Sequence, residues 1–155
     1  MIKAVFIVSG GTDLRAQRIY DEEVVRQTMQ NFKDKSFTRP HEVFSALLPG
    51  QADRSELCSF VEAPGILPDG TKLVYKAYAN LRFIFCIDEL ESPLGIIDMI
   101  QVFVKVLNNT FIDVTDVNLV FNPHKLQYIL DEIICDGMVI ETSISEVCTT
   151  LAQMD

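Results

Sequence analysis

The sequence predicts an α+β fold in which a five-stranded antiparallel sheet is sandwiched between helices. Three observations predict it. Strand-like runs come first along the chain and helix-like runs last, the order of a sheet with segregated helices. The segment Leu81–Ile87 is apolar on both faces except at Arg82, so it belongs mid-sheet, covered on two sides. The segment Leu94–Asn109 reads as a helix whose polar residues Asp98, Gln101, Lys105 and Asn108 form one narrow stripe, so it is buried almost all round. The 155 residues suit a single domain spanning 1–155.

Each element has its own signal. Ile2–Val8 is rich in β-forming residues, and Leu14–Tyr20 is a second strand after the turn-like Ser9-Gly10-Gly11-Thr12-Asp13. The glycines match neither nucleotide-binding pattern, G-x-x-x-x-G-K-[ST] or G-x-G-x-x-G, so they read as a hairpin turn. Asp21 caps a helix with Glu22 and Glu23 at its positive end, and Val25, Met29 and Phe32 form its apolar face. Lys33–Glu56 reads as a loop with a helical turn around Glu42–Leu48. Cys58–Glu62, Lys72–Tyr78 and Leu81–Ile87 are strands, with Pro64, Gly65, Pro68 and Gly70 marking the loop after the first. Ser92-Pro93 and Asn122-Pro123 are caps followed by proline at the first helical position. Leu126, Ile129, Leu130, Ile133 and Ile134 form the apolar face of the second of these helices, with Gly137 as its stop. Ser143-Ile144-Ser145-Glu146 is a capping box opening a last helix.

Composition narrows the function. A net charge of −9 argues against a basic footprint for nucleic acid or anionic lipid. Four cysteines without C-x-x-C spacing, and two histidines, make no zinc-ligand pattern and suit reduced cytosolic thiols. Cys86 and Cys135 sit in apolar runs and read as core. No secretory signal or membrane span is expected, and the Asn108-Asn109-Thr110 sequon is read as chance. Mean hydropathy is +0.21. A strip of the apolar helix left uncovered by one sheet face would need a partner, which predicts a subunit of something larger.

No motif gathers a nucleophile, a base and an orienting group, so no enzyme, catalytic residue or cofactor is expected. Asp88, Glu89 and Glu91 read as a solvated turn, and Asp131, Glu132 and Asp136 as an exposed helix face. Lys3, Arg15 and Arg18 form a small basic group on an acidic chain, suited either to an acidic peptide or to ordinary salt bridges.

Several segments resemble the sigma, or small, subunits of clathrin-adaptor complexes. They are Met1–Val5, Arg15 through Tyr20, Phe60–Glu62, Val74–Leu81, Leu94–Val104, Leu119–Asn122, Leu130–Ile133 and Gly137–Ser143, collinear over nearly the whole chain. Leu94–Val104 looks most like the sigma subunit of adaptor protein complex three. The resemblance implies a longin-like fold and a non-catalytic small subunit of a heterotetramer with two large adaptin subunits and one medium subunit. It implies intracellular protein transport, with cytoplasmic placement peripheral to Golgi and endosomal membranes and coated vesicles, membrane association being indirect. A coatomer small subunit or a tethering-complex component, sharing the fold without dileucine binding, is the alternative.

The resemblance also implies a site for acidic dileucine cargo tails. Carried over by local motif, Arg15 meets the upstream acid, while Ala79, Leu81, Val104, Val114 and Leu119 line the leucine pocket. Asp113 stands where the family usually has Asn, and a carboxylate there repels an acidic peptide. The loops 33–56 and 62–70 are longer than is typical of the family.

Overall fold

A computed structural model describes residues 1–9, 13–48, 58–78, 81–110, 123–135, 137–139 and 149. The strands are β1 (Ile2–Ser9), β2 (Asp13–Ile19), β3 (Cys58–Val61), β4 (Thr71–Tyr78) and β5 (Leu81–Asp88). They form one antiparallel sheet in the order β2-β1-β5-β4-β3. Helices α1 (Glu22–Asn31) and α2 (Pro40–Ala46) lie between β2 and β3 in sequence, and α3 (Pro93–Thr110) and α4 (Pro123–Ile133) follow β5. A short ribbon of β6 (Ile134–Cys135) and β7 (Met138–Val139) follows α4.

Strand alternation sends side chains to two cores. Val5 and Ile7 of β1, with Leu81, Phe83, Phe85 and Ile87 of β5, pack against α3 and α4. Ala4, Phe6 and Val8, with Ile84 and Cys86, pack on the other face against α1 and α2. The central strand is therefore covered on both sides, as its doubly apolar sequence requires. Ile2 joins the α3/α4 core although Ala4 joins the other, because the β1–β5 register shifts between them. One aromatic pair anchors each face: Phe6 stacks on Phe44 of α2 at 4.9 Å, and Phe83 meets the edge of Phe103 of α3 at 5.7 Å.

Four expectations change. Helix α1 buries Val24, Val25 and Thr28, whereas Phe32 lies past its end as C-cap and packs on Phe37. Helix α2 begins at Pro40, ahead of the expected turn, because the Glu42 carboxylate accepts from the Arg39 N–H at 3.2 Å and Pro40 fills the first helical position. Gly137 does not stop a helix. It turns the β6–β7 ribbon with φ +83, and its carbonyl accepts from the Ile2 N–H at 2.8 Å. Cys135 is exposed on that ribbon, while Cys86 is buried. The helix expected to open at Ser143 lies outside the described residues.

Helix α3 also needs less outside cover than its composition suggests. Ile96, Met99, Ile100, Phe103, Val104, Val106 and Leu107 are buried by the chain's own sheet and α4. Asp98, Gln101, Lys105 and Asn108 are the exposed stripe. Among the described residues the exposed large apolar side chains are Leu94 in the first turn of α3, Leu90 just before it, Phe60 on the edge strand β3, and Met1 and Met138.

Candidate functional site: one end of the sheet

Leu81 begins β5 and pairs with Tyr78 on one side and Ser9 on the other. Ser9 in turn pairs with Asp13, so the β1–β2 and β4–β5 hairpins close at the same end of the sheet. Leu81 and Val104 belong to one apolar cluster, together with Phe83 and Phe103. Leu81 is 1% exposed and Val104 7%, so both are covered by the chain itself.

Cross-strand partners project to the same side of a sheet. Tyr78 therefore lies on the α3 side with Leu81, and it packs against the same cluster. Its hydroxyl joins the Asn108 amide of α3, accepting from Nδ2 at 3.0 Å and lying 3.2 Å from Oδ1. Asn108 is four residues beyond Val104, hence one turn on along the same helix face. The sequence placed Asn108 in a polar stripe and in a chance sequon. Its spacing from Val104 was the available signal, but what it bonds depends on the hairpin end.

Arg15 sits on the edge strand at a break in register: Ile7 faces Ala16 while Val8 faces Leu14, leaving Arg15 as the extra residue of a bulge. Bulges re-aim side chains at sheet edges. One strand separates Arg15 from Leu81, about 10 Å at ordinary strand spacing. The Arg15 Nε is buried and makes no hydrogen bond.

The other basic residues are neutralised internally. Arg18 grips Asp131 of α4 with Nε and Nη2 at 2.8 and 3.0 Å, a bidentate pair that raises the guanidinium pKa. Lys3 pairs with Asp21 at 3.3 Å and approaches Asp88 at 3.9 Å. The basic group thus resolves into two structural pairs and Arg15, which has no ion pair among the described residues. Tyr20, beside Arg18 and Asp131, is half-buried, and desolvation pushes its phenol up to about 12.

The structure places Leu81 and Val104 in one buried cluster and sets Arg15 at the same sheet end as Leu81. Ala79, Asp113, Val114 and Leu119 lie outside the described residues. No group of three or more histidine, cysteine, aspartate or glutamate side chains is placed to hold a metal among the described residues. No helix of the described residues is long and apolar enough to cross a membrane.

Comparison with known proteins places these observations. A family model for the clathrin adaptor complex small chain matches residues 1–155. The chain is 34% identical to the AP-3 complex subunit sigma-2 of Homo sapiens over 151 residues, covering 95% of this chain and 71% of that protein. It is 36% identical to the AP-3 complex subunit sigma of Dictyostelium discoideum, covering 92% and 79%. The Schizosaccharomyces pombe protein of that name is 33% identical, covering 95% and 82%. Among structures, a homology model of the full-length AP-3 complex in a stretched open conformation aligns with a TM-score of 0.57 and 26% identity, over 99% of this chain and 93% of that one. The longin-like sheet between helices and the match along the whole chain agree: this chain belongs to the clathrin adaptor complex small chain family.

Proposed function

We propose that the chain is the sigma-type small subunit of an adaptor complex of the AP-3 kind, a non-catalytic scaffold in vesicle-mediated protein transport. Relatives bearing that subunit name match most of its length. It assembles with two large subunits and one medium subunit and is peripheral to Golgi and endosomal membranes through them. Co-purification from a tagged chain tests the assembly: two large subunits and one medium subunit accompany it, and their absence overturns this part of the reading.

Within that complex the chain contributes to binding acidic dileucine tails. The observation that carries this is Arg15, a cation without an acidic partner among the described residues, at the end of the sheet where β5 begins at Leu81, which shares a buried apolar cluster with Val104. Leucine burial supplies most of the affinity, roughly 1.5–3 kcal/mol per fully buried side chain. Arg15 adds about 1 kcal/mol or less at a partly exposed position. Ala79, Val114 and Leu119 complete the pocket, and Asp113 opposes the peptide's acid.

Peptide titration of the assembled complex, with a dialanine control, tests the site. Val104→Ser weakens binding more than Arg15→Ser, and only the Arg15 effect shrinks with added salt. Asp113→Asn strengthens binding. Equal affinity for dileucine and dialanine peptides removes cargo binding and leaves the scaffold.

A further inference from the structure

We propose that Tyr78 and Asn108 form a latch over the buried residues Leu81 and Val104, and that the latch must open before an apolar side chain can enter. For its ligand this rests on the dileucine reading above.

Both apolar residues are closed off in the structure, at 1% and 7% exposure. A leucine side chain cannot contact them without displacing something. Tyr78 is the side chain placed to be displaced. It stands opposite Leu81 at the last rung of the β4–β5 pairing, packs against the cluster that contains Val104, and reaches across to α3. Its far end is held by Asn108, one turn beyond Val104, at 3.0 and 3.2 Å. The ring therefore spans the gap between the end of β4 and the helix face that carries Val104.

The position suits a moving part. Tyr78 is only partly buried and Asn108 is exposed, so their bond can be exchanged for bonds to water. Leu81, Phe83 and Phe103 are fully buried, and the two phenylalanine rings pack edge to face, so they cannot yield as easily. Opening costs one solvent-accessible hydrogen bond and the contacts of one ring. A peptide that binds only the open form has its affinity reduced by the fraction of molecules open.

Two readouts on the full chain, assembled with its adaptor partners, test the latch. The first uses no peptide. With Val104→Cys, a small maleimide modifies the thiol slowly, and mass mapping separates it from the native cysteines. Adding Tyr78→Phe or Asn108→Ala accelerates modification by about two- to fivefold, the worth of one exposed hydrogen bond. Combining the two changes adds little to either, because both remove the same bond, whereas general loosening of the fold would add. Gln101→Ala, on the exposed stripe of the same helix, leaves the rate unchanged.

The second readout keeps Val104 and titrates dileucine and dialanine peptides. Tyr78→Phe and Asn108→Ala each tighten dileucine binding by the same about two- to fivefold and leave dialanine binding alone. Unchanged labelling of the residue-104 thiol in both single variants overturns the latch, as does weaker dileucine binding in both. Faster labelling with no dileucine preference in any variant supports the latch and overturns the cargo reading.

Discussion

At the residue scale, the most constrained position is Gly137. Its φ of +83 disfavours any L side chain, and a Cβ added there would lie 2.5 Å from the Ile2 carbonyl oxygen. Gly65 has a similar φ of +84, yet nothing lies within 4 Å of its added Cβ. The pair separates backbone strain from collision. Gly65→Ala should cost about 1 kcal/mol in denaturant unfolding and Gly137→Ala about 2–3 kcal/mol. Equal losses would mean that the ribbon moves off β1 without penalty. Tyr20 supplies a pH prediction. Desolvation raises its phenol from the ordinary value of about 10 to about 12. The folded state therefore binds the proton more tightly than the unfolded chain. That stabilisation is complete below pH 10 and is lost as pH rises from about 10 to about 12. Cys86, raised by burial from about 9 to about 12, acts in the same direction from pH 9 upward. Thermal midpoints followed from pH 8 to 11.5 should fall progressively, and Tyr20→Phe should flatten the decline above pH 10. A wild-type slope in that variant would show that Tyr20 titrates like an exposed tyrosine.

At the element scale, the caps decide where helices begin. The Asp21 carboxylate accepts from the Glu23 and Val24 N–H groups at 3.1 and 3.3 Å, and Glu22 and Glu23 occupy the first turn of α1. Asp21→Ala should cost about 1 kcal/mol. Asp21→Asn keeps the capping oxygen but loses the charge facing Lys3, so it should recover most of that loss. Urea unfolding of both variants reads the difference, and equal losses would move the credit from the cap to the ion pair. The α1 signal was fully local, which is why it was legible in the sequence. The α2 signal was equally local, but Pro40 reads as a loop breaker until Glu42 is seen to bond the Arg39 N–H. The β6–β7 ribbon had no comparable signal. Ile134 continues the apolar periodicity of α4, and only docking of Gly137 on Ile2 explains why the helix ends at Ile133.

At the scale of the whole molecule, one sheet separates two cores. Phe44 serves one core and Phe103 the other, each through an aromatic partner on the sheet face that it covers. Phe44→Leu and Phe103→Leu should each cost about 1–2 kcal/mol. Because the two sites share no partner, the double variant should show the sum within about 0.5 kcal/mol. A larger departure would mean that the sheet transmits strain between its faces. The same layering explains how so apolar a helix as α3 exposes mainly a polar stripe beyond its first turn: sheet and α4 cover it from two directions.

The sequence by itself determined the layered fold. Alternation in the strands, the polar stripe of α3 and the local caps each follow from near neighbours along the chain. The family was legible in the same way, because its segments recur in order along the chain. Only the tertiary structure decided the character of the site. Lys3, Arg15 and Arg18 are alike as residues, and it took Asp21 and Asp131, 18 and 113 positions away from their partners, to neutralise two of them. The bulge that sets Arg15 apart depends on the register between β1 and β2. Tyr78 and Asn108, 30 residues apart, meet only because the β4–β5 hairpin ends beside the last turns of α3. Pairings of that kind are products of chain closure over long separations, and no local pattern encodes them.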